Sequence, residues 1–187
     1  VDNSGYKWII PRESTGVLVF DEQDPNNPNN DRSILLNNSN TNMVSNRVNT
    51  VEVDLEGDVW VGTDQGAIVF ECGSSIFEGT CKGSRRKVDQ DGIIAYLLET
   101  ESVISIGIDG ANRKWFGTRN GLYVQSSNGE EQVLSFNTKN SPLMGNVIYD
   151  VVPDQKTGDV WIGTEGGIQV YRSDAVAARN VFSSSIY

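Results

Sequence analysis

The stretch DVWVGTDQGAIVF (residues 58–70) decides the fold, because the chain contains nearly the same stretch twice more. RKWFGTRNGLYVQ stands at residues 113–125 and DVWIGTEGGIQVY at residues 159–171. Each copy predicts two short strands rich in Val, Ile, Trp and Phe, joined by a Gly-containing turn. Asn120-Gly121 is a strong hairpin signal, because both residues accept the positive φ of a tight turn.

The four tryptophans share one register, with spacings of 52, 55 and 46 residues between Trp8, Trp60, Trp115 and Trp161. A unit of about 40 to 50 residues with a W-x-G-T core is typical of β-propellers. An apolar strand precedes the core in each complete unit: VNTVEVD, VISIGID or VIYDVVPD. The predicted fold class is therefore all-β, with four-stranded antiparallel propeller blades.

A fourth, outer strand is predicted for each unit, at residues 31–38, 93–100, 130–138 and 178–187. The first unit lacks an inner strand before Tyr6, so the chain holds about three and three-quarter blades. We divide it into an incomplete first blade (1–40), a blade with a cysteine loop (41–100), a third blade (101–142), and a last blade with the start of a linker (143–187). We expect an arc of a larger propeller, whose open edges would favour pairing of two copies.

The repeated residues are interpreted as scaffold. Small residues at Gly62, Gly117 and Gly163 would let neighbouring sheets approach closely, and Trp60, Trp115 and Trp161 would fill the space between blades. The recurring turn carboxylates fit Asx-turns better than paired acid and base groups; they are Asp54, Glu56, Asp58, Asp109, Asp154 and Asp159.

The composition excludes several classes of function. A net charge of −10 argues against a nucleic-acid partner, which needs a basic face. The absence of histidine removes Ser-His-Asp and Cys-His catalysis and ordinary zinc sites. No apolar stretch approaches the roughly 18 residues that span a bilayer, and no signal peptide is visible. We therefore predict a protein that is not an enzyme, needs no cofactor and does not span a membrane.

Cys72 and Cys81 are spaced to close a hairpin loop with a disulfide, which would place the protein in an oxidising compartment; two reduced thiols are the alternative.

Three further features are candidate sites. Arg85, Arg86 and Lys87 form the basic cluster of the chain, which is either a solvated edge or an anion contact. Asp21, Asp24 and Asp31 lie in an oxygen-rich loop, which is either a flexible insertion or a weak Ca²⁺ candidate. Aromatic residues in loops can stack on sugars, and the exposed candidates are Phe77, Tyr96 and Tyr187.

The W-[IVF]-G-T-x-x-G-[LI] unit resembles the two-component regulator propeller repeat of Bacteroidetes, which forms periplasmic glycan-binding sensors of hybrid two-component systems. Residues 91–124 and FNTKNSPLMGNVI (136–148) are more similar to the PorZ-like propeller proteins of the type IX secretion system. The opening GYKWIIPRESTGVLVFD (5–21) and the cysteine loop resemble that family too.

The PorZ-like resemblance implies a cell-surface or periplasmic, non-enzymatic module of an outer-membrane attachment complex. Its implied partners are other secretion-complex proteins, a sortase-like protease among them, and anionic lipopolysaccharide. The family has two propellers and a C-terminal β-sandwich, and this chain would be the last arc of the second propeller. The resemblance assigns no residue, so Arg85, Arg86 and Lys87 are proposed on charge alone. The alternative is a periplasmic glycan sensor of a hybrid two-component regulator.

Overall fold

A computed structural model describes residues 1–90 and 93–173, which form antiparallel strands and two short 3-10 turns, Pro28–Asn30 and Gly73–Glu78. These residues contain four successive sheets, one for each repeat unit, and a separate hairpin. The strands are, for sheet 1, β1 Lys7–Ile9, β2 Val17–Asp21 and β3 Arg32–Leu36; for sheet 2, β4 Val48–Val53, β5 Val59–Thr63 and β6 Gly66–Phe70; for the hairpin, β7 Lys87–Gln90 and β8 Ile93–Tyr96; for sheet 3, β9 Val103–Ile108, β10 Lys114–Thr118, β11 Leu122–Gln125 and β12 Gln132–Phe136; for sheet 4, β13 Ile148–Pro153, β14 Asp159–Thr164 and β15 Gly167–Arg172.

Each sheet is a meander in which chain neighbours pair, as the repeat predicts. Sheet 3 has all four strands, and sheet 1 lacks the inner strand, as expected. The outer strand predicted at residues 93–100 is wrong, because β8 pairs with β7 instead of with sheet 2. At the outer edge of β6, Val69 forms an isolated antiparallel β-bridge with Ser84. The outer strand predicted at residues 178–187 lies outside the described residues.

The core consists of three apolar layers, one at each boundary between consecutive sheets. Alternate residues of a strand point to opposite faces of its sheet. In β5, Val61 therefore packs in the layer shared with sheet 1, and Trp60 packs in the layer shared with sheet 3. Sheets 2 and 3 have a neighbouring sheet on each side, so both of their faces are buried. This explains why their strands are apolar on both faces.

An aspartate at the turn before each of the first three repeat tryptophans binds the indole. The carboxylate accepts the indole N–H six residues later, in the pairs Asp2–Trp8 (2.8 Å), Asp54–Trp60 (3.0 Å) and Asp109–Trp115 (2.8 Å). The other oxygen accepts backbone N–H groups of the turn, at Glu56 and Asp58 in sheet 2. The Asx-turn interpretation therefore describes these aspartates well, although it did not include the indole bond.

The prediction that Trp161 fills a space between blades is wrong within the described residues. Trp60 and Trp115 are 1% and 0% exposed, whereas Trp161 is 50% exposed. It lies on the face of sheet 4 that no described sheet covers. Gly163 lies on the same face, and a Cβ atom there would meet nothing nearer than 3.9 Å, so close sheet approach does not apply to this glycine either.

Candidate ligand-binding cleft

The basic cluster follows the bridge that ends sheet 2. Ser84 and Val69 exchange backbone hydrogen bonds of 2.7 and 3.0 Å, which fixes the chain direction just before Arg85. The next residues enter β7, where Lys87 lies opposite Tyr96 of β8. Hairpin pairing therefore brings a cation and an aromatic ring together from positions nine residues apart.

Arg85 and Lys87 both contact the Tyr96 ring. The Arg85 guanidinium lies 3.9 Å from the ring centroid and the Lys87 ammonium 5.7 Å from it. Such cation–π contacts hold the charged groups in place while leaving their N–H donors available. Glu99 Oε2 lies 3.8 Å from Arg85 Nη2, a loose ion pair in which the Arg85 side chain is 20% and the Glu99 side chain 42% exposed.

These side chains line an open cleft of about 520 Å³, with the wall formed by Asn42, Met43, Gly83, Ser84, Arg85, Lys87 and Tyr96. Lys87 is exposed and forms no ion pair with any residue that the structure describes. The cleft thus offers two cations, a carboxamide and an aromatic surface on a chain whose net charge is −10. This combination suits an anionic group attached to a ring with an apolar face.

Arg86 does not belong to this cleft. Its Nη2 atom lies 2.5 Å from Glu71 Oε1, and its Nε atom donates to the Asn128 carbonyl at 2.9 Å. Its guanidinium also lies 6.0 Å from the Trp60 ring. The side chain connects sheet 2 to a loop of sheet 3, so only two of the three basic residues predicted together share one surface.

Tyr96 is the aromatic residue that the structure places at this cleft. Phe77, also predicted to be exposed, is half-buried instead: its ring packs edge-on against Tyr6 at 5.1 Å, beneath the Arg32 guanidinium at 4.2 Å. Tyr187 lies outside the described residues. The sequence would have singled out Tyr96 only if the pairing of β8 with the basic segment in β7 had been predicted.

The predicted disulfide between Cys72 and Cys81 is present, with a Cα–Cα distance of 5.9 Å. It closes the loop that contains the Gly73–Glu78 turn. Ile76 of that turn is 1% exposed and belongs to the apolar layer between sheets 1 and 2. The loop therefore fastens sheet 2 to sheet 1.

The Ca²⁺ candidate residues do not come together. Asp21 binds Arg32 Nε at 2.9 Å and the Gln23 N–H, while Asp24 accepts from Asn26. The backbone N–H of Gln23 and the adjacent Arg32 lower the pKa of Asp21. Three acidic side chains converge elsewhere, at Asp54, Glu56 and Asp58.

Two of the converging acids at the sheet 2 turn, Asp54 and Asp58, have their pKa values set by neighbouring groups of the fold. Burial would raise the pKa of Asp54, but hydrogen bonds from Lys114 and Trp60 outweigh it and hold that pKa below its ordinary value. Burial and the nearby Asp54 carboxylate raise the pKa of Asp58. The buried member of the group is thus already neutralised by Lys114, 2.9 Å away.

Comparison with solved structures places these sheets in a known architecture. PorZ, an essential surface component of the type IX secretion system of Porphyromonas gingivalis, is 24% identical and matches 94% of this chain with a TM-score of 0.80. The extracellular domain of a hybrid two-component system of B. thetaiotaomicron is 24% identical and matches 96% with a TM-score of 0.68. The chain has the β-propeller fold. The resemblance drawn from the repeat is therefore confirmed at the level of the fold, as blades from an arc of a larger propeller.

The fold by itself does not select a function, because an ancestral GH74 enzyme also matches 91% of the chain, at 17% identity and a TM-score of 0.57. The chain covers only 25%, 21% and 22% of these three proteins. No protein-family model and no curated protein sequence matches it. Within residues 1–90 and 93–173, no helix is long and apolar enough to cross a membrane.

Proposed function

We propose that this chain is part of a non-enzymatic β-propeller module that binds an anionic polysaccharide at the cell surface. The observation that carries this proposal is the cleft in which Arg85 and Lys87 flank Tyr96. The disulfide Cys72–Cys81 supports a location outside the cytoplasm, since such bonds persist in oxidising compartments.

More specifically, we propose that the module belongs to an outer-membrane attachment complex of type IX secretion. There it would handle anionic lipopolysaccharide together with a sortase-like partner. The likeness to PorZ, a surface component of that system, supports this assignment. The cleft supplies the matching chemistry, because a sugar ring can stack on Tyr96 while its anionic substituent meets Arg85 and Lys87.

The test is a titration of the protein with lipopolysaccharide that carries an anionic polysaccharide, alongside lipopolysaccharide with a neutral one. We expect the anionic form to bind more tightly, with an affinity that falls as salt is raised. The double variant Arg85→Glu/Lys87→Glu should lose at least tenfold in affinity, and Tyr96→Ala should weaken binding at every salt concentration. Arg12→Glu/Lys139→Glu is the matched control, because both side chains are exposed and the charge change is equal.

Unchanged binding in the Arg85→Glu/Lys87→Glu variant would show that the cleft does not bind the anionic polysaccharide. No preference of the native protein for the anionic form would remove the lipopolysaccharide assignment as a whole. The sortase partner is tested separately, by retention of the purified sortase-like protease on the immobilised protein.

A periplasmic glycan sensor of a hybrid two-component regulator is the second candidate, and the likeness to such an extracellular domain supports it. A sensor of this kind would recognise short glycan fragments in preference to intact lipopolysaccharide. Tighter binding of neutral oligosaccharides, lost in Tyr96→Ala but kept in Arg85→Glu/Lys87→Glu, would favour this candidate.

A further inference from the structure

A second cleft, of about 310 Å³, adjoins the basic cleft and shares the Tyr96 side chain with it. Its wall includes the ring of Tyr123 and the carboxylates of Glu99 and Glu101. The two clefts also meet through charge, since Glu99 Oε2 lies 3.8 Å from Arg85 Nη2. Small-molecule sites in proteins usually measure about 300–1,000 Å³, so each cleft has room for a ring-sized ligand.

The loop between β8 and β9, which carries both carboxylates, is anchored by the fold. Leu97 and Leu98 in this loop are 2% and 9% exposed and belong to the apolar layer between sheets 2 and 3. The Glu101 N–H donates to the Leu98 carbonyl at 2.8 Å, and the Glu101 carbonyl accepts the Gly66 N–H at 2.9 Å. The backbone that presents Glu99 and Glu101 is therefore held in place before any ligand arrives.

Glu101 keeps hydrogen-bond acceptor capacity for a ligand. Asn120 Nδ2 donates to both of its carboxylate oxygens, at 2.9 and 3.2 Å. A carboxylate has about four lone-pair sites, so a single amide group leaves part of this capacity for other donors. Burial and the Glu101 carboxylate raise the pKa of Tyr123, which places its hydroxyl in the partly desolvated part of the cleft close to that carboxylate.

The two clefts select opposite kinds of chemical group. Arg85 and Lys87 attract an anionic substituent, whereas the described residues that line the second cleft include two carboxylates and no cation. Carboxylates repel an anion and accept hydrogen bonds from hydroxyl or ammonium groups. Tyr96 stands between the two environments, so a sugar chain that crosses its ring meets positive charge on one side and negative charge on the other.

We propose that the second cleft is a subsite for a sugar unit that supplies hydrogen-bond donors and carries no negative charge, next to the anionic unit in the basic cleft. The ligand is therefore a polysaccharide in which anionic and non-anionic units are neighbours, and not one with a negative charge on every unit. This inference rests on the proposed function, because the basic cleft must hold the anionic unit.

The experiment compares two oligosaccharides of equal length in titrations of the full chain. Hyaluronan carries a carboxylate on alternate units, and polygalacturonate carries one on every unit. The measured quantity is the ratio of the two dissociation constants, polygalacturonate over hyaluronan. In Glu99→Gln/Glu101→Gln this ratio should fall by about fivefold or more, because the repulsion of the additional carboxylates is removed. Glu13→Gln/Glu130→Gln is the matched control, since both side chains are exposed and the charge change is equal, and its ratio should not change.

An unchanged ratio in Glu99→Gln/Glu101→Gln, with hyaluronan binding still lost in Arg85→Glu/Lys87→Glu, would overturn the subsite and leave the proposed function standing. Failure of the native protein to bind the hyaluronan oligosaccharide would also overturn the subsite. The proposed function fails with it only if anionic lipopolysaccharide is not bound either.

Hyaluronan from which the N-acetyl groups have been removed separates the two kinds of donor. Tighter binding of this amine-bearing form by the native protein, but not by Glu99→Gln/Glu101→Gln, would identify the donor in the subsite as an ammonium group. Equal binding of both forms by the native protein, weakened for both in Glu99→Gln/Glu101→Gln, would identify the donors as hydroxyl groups.

Discussion

Lys114 Nζ lies 2.9 Å from Asp54 Oδ2, and the two side chains are 0% and 2% exposed. The pair crosses the boundary between sheets 2 and 3, since Lys114 belongs to β10 and Asp54 precedes β5. Lys114 also donates to the carbonyls of Asn112 and Ser127. A buried cation with all its donors engaged thus completes the site at which Asp54 holds the Trp60 indole.

Replacing Lys114 with Met should destabilise the protein by about 3–5 kcal/mol, because it leaves the Asp54 carboxylate buried without its counter-ion. Urea unfolding followed by circular dichroism measures this, with the exposed Lys139→Met as control. The pKa of folded Asp54 lies below its ordinary value of 3.8, so the stabilisation is complete above that pH and is lost as the pH falls through the folded pKa. The deficit of the variant should therefore shrink in acid, and a deficit independent of pH would contradict this account.

Trp115→Phe should cost about 2 kcal/mol, because the buried Asp109 carboxylate loses the indole N–H at 2.8 Å. Trp161→Phe is the matched control at the same repeat position. Asp154 stands seven residues before Trp161 instead of six, and its carboxylate accepts the Lys156 and Thr157 N–H groups. Thermal unfolding of both variants gives the comparison. Equal losses would show that the indole bond contributes little.

Gly117→Ala should destabilise the protein by about 1–3 kcal/mol through overpacking. The new Cβ would lie 2.8 Å from Ile148 Cγ2 in the next sheet and 2.6 Å from Ser105 Oγ. Gly163 has the same place in the repeat, but a Cβ atom there would meet nothing nearer than 3.9 Å. Gly163→Ala should therefore be close to neutral. The two midpoints of urea unfolding decide the matter, and a loss for Gly163→Ala as large as that for Gly117→Ala would refute the packing explanation.

Glu52→Gln should stabilise the protein at neutral pH. Burial raises the pKa of Glu52, and the Asp150 carboxylate on the next-but-one sheet adds to the rise. A carboxyl whose folded pKa exceeds its unfolded value costs stability as the pH rises past the ordinary value of 4.5. We expect a gain on the order of 0.5 kcal/mol at pH 7, allowing for solvent screening, and none below pH 4. Thermal unfolding at both pH values tests this, and the exposed Glu13→Gln should show no such dependence.

The sequence predicts the sheets well because each strand carries its own signal: apolar residues in the strands and glycine in the turns. The period of the tryptophans also predicts the stacking of sheets. The seven-residue spacing from Asp154 to Trp161 can be counted in the sequence, but the sequence does not show whether the carboxylate still reaches the indole, because that depends on distance and not on residue type. Adjacent residues of an extended chain point to opposite sides, so Arg85 and Arg86 separate, but the sequence does not show which partners lie on each side.

The candidate cleft was predictable only in part. The charges of Arg85 and Lys87 stand out against an acidic chain, but Tyr96 joins them through the register of the β7–β8 pairing. The disulfide loop lies between β6 and β7, and the next strand, β8, pairs with β7 instead of forming an outer strand of sheet 2. Insertions of this kind carry no periodic signal.

The half-exposed indole of Trp161 gives the protein an optical reporter of its own. Trp60 and Trp115 are sealed between sheets and Trp8 is half-buried, so acrylamide should quench Trp161 first, and its emission should lie to the red of theirs. A blue shift with loss of quenching would then report, without any label, that another surface has covered the open face of sheet 4. The same signal would give the affinity of whatever covers it.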